Sequence, residues 1–331
     1  MLNKILPIYK MTSGCDYHRI LLPLGYMGYD FSLVQDMTTE KLQAFKIITF
    51  NRLPGEVNAQ ALKALQSKGA KVILDLDDYW YLYAGHYLNK SWVENKVPER
   101  IIQMIGLADV VTCTTERLAS KIRPINSNVV VIPNALPFIN HGDQFTNTKT
   151  VSSITRFGFV GGTSHKGDLM SIAPVFQYFN QLNFSYCGFS PRSKEAIGIQ
   201  TLCSNGGKNL NYKSVDMAPL DKYMYAYDNL DCCIAPLLPE EFNKYKSNLK
   251  VLEAGLKKCA IICSSNECYT DTVPAEVVTY CKSVKDWKEA IKKHQDLDYT
   301  KDRGEKLHEW VKANYSLEEV NKQRLKLYES L

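Results

Sequence analysis

Short apolar runs bounded by polar turns alternate along the chain with longer segments whose apolar positions recur at helical spacing. That alternation predicts βα units around a parallel sheet. In the first half the strand candidates are KILPIYK, FSLVQD, KIITFNR, KVILDLD, VVTCTT and VVVIPNA, and GEVNAQALKALQSKG and PERIIQMIGLAD read as helices. Gly69 ends the first of these as a helix C-cap does. The pattern describes one doubly wound domain. A polar, aperiodic stretch, INHGDQFTNTKTVSS, follows Pro133, Asn134 and Pro137, and the alternation restarts at RFGFVGG. Such a shift in composition reads as a linker. The second half offers strands at RFGFVGG, NFSYCGF, DCCIAPL and CAIICSS. Its helices are expected after Gly167, around Pro219 to Tyr227, and from Tyr245 to Lys257. The last segment, DRGEKLHEWVKANYSLEEVNKQRLKLYESL, is expected to be helical throughout. Two such domains would face each other across a cleft.

Length agrees with the pattern: 331 residues suit two domains of roughly 150 residues each. A hydrophobic content of 45% argues for a folded chain. No run approaches the roughly 20 apolar residues of a membrane span, and the N-terminus lacks the features of a secretion signal, so a cytoplasmic protein is expected. The ten cysteines lie mostly inside apparent strands and read as reduced core residues, without a zinc-ligand pattern. The net charge of +5 is spread along the chain and fits anionic substrates, membrane surfaces or DNA equally well.

Candidate chemistry gathers at strand ends. In FGFVGGTSHKGDL, a buried-strand signature runs into Gly161, Gly162 and Thr163 and then a helix pattern. Glycines there let backbone N–H groups approach phosphate oxygens, and His165 and Lys166 add charge. The segment is neither GxGxxG nor a Walker A loop, which weighs against nicotinamide and P-loop readings. Plain turn chemistry would also explain a double glycine.

In FNKYKSNLKVLEAG, a helix from Tyr245 places Lys246, Lys250 and Glu253 on one face, with Ser247 beside them. Two lysines and a carboxylate suit a diphosphate and a ribose, although a solvated charged face has the same pattern. In KVILDLDDYWYLYAGHYL, Asp75 and Asp77 share a strand face and Asp78 follows. Carboxylates at a strand end could act as a base, bind sugar hydroxyls or hold Mg²⁺. Tyr79 and Trp80 could stack on a sugar, with His86 nearby. The loop after the first strand brings Gly14, Tyr17, His18 and Arg19 to the same expected cleft, and Arg52 occupies a comparable strand end.

Taken in order, these blocks resemble the GT-B glycosyltransferases, in particular those similar to glycosyltransferase family 4. The resemblance is carried by ILDLDDYW, ADVVTCTTERLASKI, VVVIPNALP, FGFVGGTSHKGDL, KSNLKVLEAG and CAIICSS. It implies an α/β fold of two Rossmann-like domains facing a central cleft, with a C-terminal helix crossing back to the N-terminal domain. The implied boundaries are 1–145 for an acceptor-binding domain, 152–305 for a nucleotide-sugar domain and 306–331 for the returning helix.

The resemblance further implies transfer of a sugar from a UDP- or GDP-linked donor to a hydroxyl, with retention and without a metal or other cofactor. Glu253 would meet the ribose, Lys166 and Lys250 the leaving diphosphate, and Asp77 and Asp78 stand where the family has a histidine. The family often carries two glutamates with seven residues between them, and counting back from Glu253 places the first at Tyr245. The acceptor is open between a surface or lipid-linked saccharide, with peripheral contact at the inner face of a membrane, and a hydroxymethylated base in phage-type DNA. A silent sugar-nucleotide or glycan binding protein and a GT-B-shaped epimerase are the alternatives.

Overall fold

The computed structural model describes residues 2–34, 44–53, 58–139 and 143–331. The chain forms two compact units. The first is Met1–Ala135 with Lys244–Ser247 and Leu317–Leu331, and the second is Leu136–Asn243 with Asn248–Ser316.

The first unit is built on five parallel strands in chain order: β1 (Ile5–Ile8), β2 (Ile47–Asn51), β3 (Lys71–Leu76), β4 (Val110–Cys113) and β5 (Val129–Val131). Apolar runs without polar alternation make these strands suited to a sheet covered on both faces. Successive side chains take opposite faces. Ile48, Phe50, Val72, Leu74 and Leu76 pack with Ile101, Ile105, Leu118 and Ile122. Ile5, Ile47 and Ile73 pack instead with Ile20, Leu24 and Tyr328. Tyr328 comes from the final helix, Leu317–Glu329, so the end of the chain completes the second face of this sheet.

The second unit has six parallel strands: β6 (Arg156–Val160), β7 (Asn183–Phe189), β8 (Tyr212–Asp216), β9 (Cys232–Ala235), β10 (Ala260–Ser264) and β11 (Thr279–Cys281). Their order is β11-β10-β9-β6-β7-β8. The chain runs outward from β6 to β8, then returns to the other side of β6 and runs outward again. In open α/β sheets this reversal, here between β6 and β9, marks the crevice where ligands bind. Phe157, Phe159, Phe176, Phe179, Phe184 and Tyr186 fill the core beneath it.

Several expectations need correction. The strand expected at FSLVQD is a 3-10 turn, Phe31–Val34, whose ring Phe31 packs edge-on against Tyr29 and Tyr9; the last two residues of that run lie outside the described residues. The described strands of the first sheet therefore run in one direction of order, without the reversal that double winding requires. Residues 55–57 of the expected helix and 140–142 of the expected linker also lie outside the described residues. The helix itself is Ala59–Ser67, closed by Gly69 at φ 92°.

Strands β8 and β11 escaped the sequence reading because both are short edge strands, one of them the polar YKSVD. The helix expected from Tyr245 starts at Leu249, so Lys246 and Ser247 are not on it. The terminal segment is two helices, Leu297–Tyr315 and Leu317–Glu329, separated at Ser316, whose extended backbone pairs with Leu136. The apolar positions Leu307 and Val311 pack over Gly255 in the second unit, while Tyr328 packs in the first.

All ten cysteines are free, and nine of them are buried. No helix among the described residues is long and apolar enough to cross a membrane.

Gly304 lets the helix Leu297–Tyr315 cross the start of β10: a Cβ there would overlap the Lys258 carbonyl and lie 3.2 Å from Ala260 N. These are backbone atoms, which cannot swing aside. Gly304→Ala is expected to cost about 1–3 kcal/mol through overpacking, more than the ~1 kcal/mol alanine gains in helix propensity, seen as a lower urea midpoint.

Candidate functional site

In the first unit, the carboxyl ends of β2 and β3 deliver Asn51, Arg52, Asp75, Asp77 and Asp78. Asp75 is fully enclosed. Arg19 grips both of its oxygens, Nε to Oδ1 and Nη2 to Oδ2, each at 2.8 Å. Thr112 Oγ1 donates to Oδ2 at 2.6 Å and Asn51 Nδ2 to Oδ1 at 3.1 Å. Burial alone would push the Asp75 carboxyl up, but Arg19 and these hydrogen bonds outweigh it and hold the carboxyl below its ordinary value. Arg19 continues through Nη1 to Asn134 Oδ1 at 3.1 Å, and Asn134 Nδ2 donates to Ser247 Oγ at 2.8 Å. Arg19 rides on a π-helical turn, Tyr17–Leu21. The sequence reading offered Arg19 to an acceptor; its guanidinium has no exposed surface and is engaged by Asp75.

Arg52 organises the neighbouring carboxylates. Its backbone is left-handed at φ 58°, a conformation that costs a non-glycine residue energy and is held by its surroundings. Its N–H extends the sheet to the Asp75 carbonyl at 2.9 Å. The side chain then spans Asp77 Oδ1 at 3.1 Å from Nε, Asp78 Oδ2 at 2.5 Å and Cys15 Sγ at 3.1 Å, both from Nη2. Burial raises the Asp77 carboxyl, yet Arg52, with help from Cys15 and Asn51, takes it below its ordinary value. Asp77 is therefore ionised at neutral pH and poorly matched to general-base work, which favours a pKa near the operating pH. It is better suited to accepting hydrogen bonds from hydroxyls.

Ligand atoms of Cys15, Asp77 and Asp78 lie within 4.8 Å of one another, a spacing compatible with a metal ion. Arg52 already occupies oxygens of both carboxylates, and burial pushes the Cys15 thiol well up, away from the thiolate that metal ligation needs. These residues do not fit a resident cation.

Around this cluster, Lys246 Nζ lies 3.7 Å from Asp78 Oδ1. Tyr245, at the position where the resemblance calls for a glutamate, is buried with its ring 4.8 Å from that of Tyr79, and Lys121 Nζ sits over both rings. Gly14 opens a short helical turn capped by Ser13. His18 is buried and meets Tyr17 edge-on. His86 sits between Tyr83 and Tyr87 in the segment beyond Trp80.

In the second unit, Gly161 and Gly162 follow β6 as expected, but differently from each other. Gly161 N donates to Cys187 O at 2.9 Å, as part of the sheet, while Gly162 faces open space. The turn continues through Thr163 to His165, whose Nδ1 lies 2.9 Å from Asp168 Oδ2. Asp168 is buried, and its other oxygen accepts from Leu238 N at 2.9 Å and Asn243 Nδ2 at 3.0 Å. The carboxylate thus ties the turn after β6 to the segment after β9, on either side of the strand-order reversal, and orients the His165 ring. Lys166 is exposed and runs along Gly198.

On the helix Leu249–Leu256, Lys250 Nζ is 3.4 Å from Glu253 Oε2. Glu253 is 2% exposed. Tyr223 donates its hydroxyl to Oε1 at 2.8 Å and Tyr227 to Oε2 at 2.7 Å.

Sequence reasoning missed Thr112, Asn134, Asp168, Tyr223 and Tyr227. Signals existed for some of them: His165 and Asp168 are three apart, and Tyr223 and Tyr227 four apart, spacings that share a helical face.

In sequence, the chain matches no protein-family model and no curated protein. In structure it is similar to a glycosyltransferase from Rickettsia africae, with a TM-score of 0.67 at 13% identity over 98% of this chain and 97% of that one. It is similar to sucrose-phosphate synthase from Thermosynechococcus elongatus, with a TM-score of 0.65 at 14% identity over 86% and 73%. It is also similar to the Anabaena protein HepE in complex with UDP, with a TM-score of 0.64 at 12% identity over 88% and 80%. The fold is that of the GT-B glycosyltransferases.

Removing Asp75 strands the Arg19 charge. Asp75→Ala is expected to cost about 3–5 kcal/mol, the range for breaking a buried pair, read by urea denaturation. Because the folded carboxyl titrates below its unfolded value, its contribution is full above about pH 4 and fades as the pH falls through the lowered value. The stability gap between wild type and Asp75→Asn should narrow over that acid range.

Proposed function

We propose that this chain is a glycosyltransferase that moves a sugar from a nucleoside diphosphate donor, UDP-linked or GDP-linked, to a hydroxyl of a saccharide acceptor. The observation that carries the reading is the second unit's arrangement at the strand-order reversal. A glycine with open space, the Asp168-oriented His165 and the exposed Lys166 follow β6, and Lys250 with Glu253 follows β9. Glu253 is proposed to accept hydrogen bonds from the ribose hydroxyls, and Lys166 and Lys250 to stabilise charge developing on the diphosphate. Preorganised donors of this kind usually supply the largest catalytic term. Gly161, Gly162, Thr163 and His165 line the diphosphate's approach.

In the first unit, Asp77 and Asp78 are proposed to receive the acceptor hydroxyl, with Arg52 paired to both and Lys246 beside Asp78. Tyr79 is proposed to stack on the acceptor. Retention and metal independence belong to the same proposal. The likeness to HepE, solved with UDP, supports UDP as the first nucleotide to try.

A second reading, a sugar-nucleotide binding protein without transfer, is favoured by the buried Tyr245 ring in place of a carboxylate. Both readings bind donor, so binding and turnover must be measured separately. A thermal-shift screen of UDP, GDP, ADP, CMP and their sugar conjugates is expected to give a rise with one nucleotide series, lost in Glu253→Ala. Absence of any rise, with a cooperative transition present, overturns both readings. Lys166→Ala and Lys250→Ala are each expected to lower turnover or donor hydrolysis by about 10²–10³-fold, the effect of deleting one preorganised donor. Donor binding with neither transfer nor hydrolysis selects the binding reading.

A further inference from the structure

Arg324 lies on the last helix and is 4% exposed. Its Nη1 donates to Asn321 Oδ1 at 3.1 Å, and Asn321 in turn donates to the Pro23 carbonyl at 3.0 Å. Its Nη2 is buried and has no hydrogen-bond partner among the described residues. No carboxylate among the described residues pairs with it. Asp75 is near enough to favour its charge, but the acceptor positions of Asp75 are taken by Arg19, Thr112 and Asn51. Burial and the Arg19 charge pull Arg324 down to about 10, against support from Tyr328 and Asp75, so it remains a cation at neutral pH.

Two buried guanidinium groups therefore neighbour one saturated carboxylate. A charge held out of water without a partner is strongly unfavourable, and native proteins answer it with a counter-ion or a shift to neutrality. An arginine stays charged in a protein, so the buried Nη2 calls for a partner, a bound water or an oxyanion. A second feature concentrates at the same place: Arg19 stands on the π-helical turn Tyr17–Leu21, and such turns recur at functional sites.

We propose that Arg324, with Arg19 behind it, forms an anion site in the first unit that takes a phosphate or carboxylate group. A planar guanidinium with an N–H group left without a partner matches either oxyanion. On the transferase reading the anion belongs to the acceptor, making the acceptor a phosphorylated or carboxylated saccharide. That assignment rests on the proposed function, whereas the anion site itself does not.

The test is a thermal melt of the full chain in inorganic phosphate and, separately, in acetate. Potassium chloride matches the ionic strength, so that only a preference for oxyanions registers. Wild type is expected to show a saturable rise in melting temperature with one of the two, and that one identifies phosphate or carboxylate as the group recognised. Arg324→Met is expected to lose the rise and to melt no lower than wild type in anion-free buffer, because the unpaired charge has gone with the side chain. A merely structural arginine would do the reverse: the variant would melt lower and keep the response. Indifference of wild type to both anions, or an equal rise in the variant, overturns the proposal. Should Arg324→Met fail to fold, Arg324→Lys carries the test. It keeps the charge but not the fork, so at least a tenfold weaker midpoint is expected, and an unchanged midpoint overturns the site. UDP melts on the same samples report the donor reading independently, since Arg324 and Glu253 lie in different units.

Discussion

The first unit depends on the ion pair between Arg19 and Asp75. Both partners are buried, so each would be costly alone, and together they fix the geometry around them. Asp75 stands near the end of the central strand of its sheet, and with its oxygens saturated by Arg19, Thr112 and Asn51 it leaves Asn51 to reach on to Asp77 at 3.1 Å. Arg52 then stitches Asp77 to Asp78. A chain of hydrogen bonds thus runs from the buried Asp75 through the buried Asp77 to the half-buried Asp78 at the strand ends. Polar networks of this sort are stabilising only when every member is satisfied. The guanidinium that adjoins this network with a buried nitrogen left over is Arg324, which is why the anion reading attaches there.

The second unit reaches order by a different route. Its core is aromatic, and several of its polar contacts join segments distant in sequence. Asp168 joins segments following two different strands, and Glu253 is clasped by two tyrosines from a neighbouring 3-10 turn. Lys257, itself fully buried, is paired with Asp228 and the Thr146 carbonyl. Asp168 fixes the loops at the carboxyl ends of β6 and β9, where a ligand needs rigid partners, while Lys257 ties together the segments that lead into β6, β9 and β10.

Much of the architecture was legible because buried parallel strands announce themselves as unbroken apolar runs: IITFN, KVILDL, RFGFV and AIICS needed no context. YKSVD was not legible, since an edge strand needs an apolar face on neither side. FSLV has the composition of a strand, but the aromatic contacts of Phe31 with Tyr29 and Tyr9 decide otherwise, and no window of sequence contains Tyr9 and Phe31 together at contact spacing. The helix expected from Tyr245 illustrates the same limit. Its periodicity was real from Leu249 onward, yet Tyr245 had a better place in the first unit's core against Tyr79. The residue types of the candidate site were visible at their strand ends. Their pairing was not, because the partners of Arg19, at positions 75 and 134, are distant in sequence and adjacent only once the sheet has formed.

The break at Ser316 bears on how the molecule is made. The chain leaves the first unit at Ala135, touches it again at Lys244–Ser247, and returns for good at Leu317. Tyr328 covers Ile5, Ile47 and Ile73, which belong to the earliest strands synthesised. Ile20, Leu24 and Tyr29 share that face, but it is completed only when Tyr328 is in place. The first unit is therefore discontinuous in sequence: its sheet cannot be fully covered until residues 317–331 are present, whereas the strands of the second unit lie wholly between its pieces.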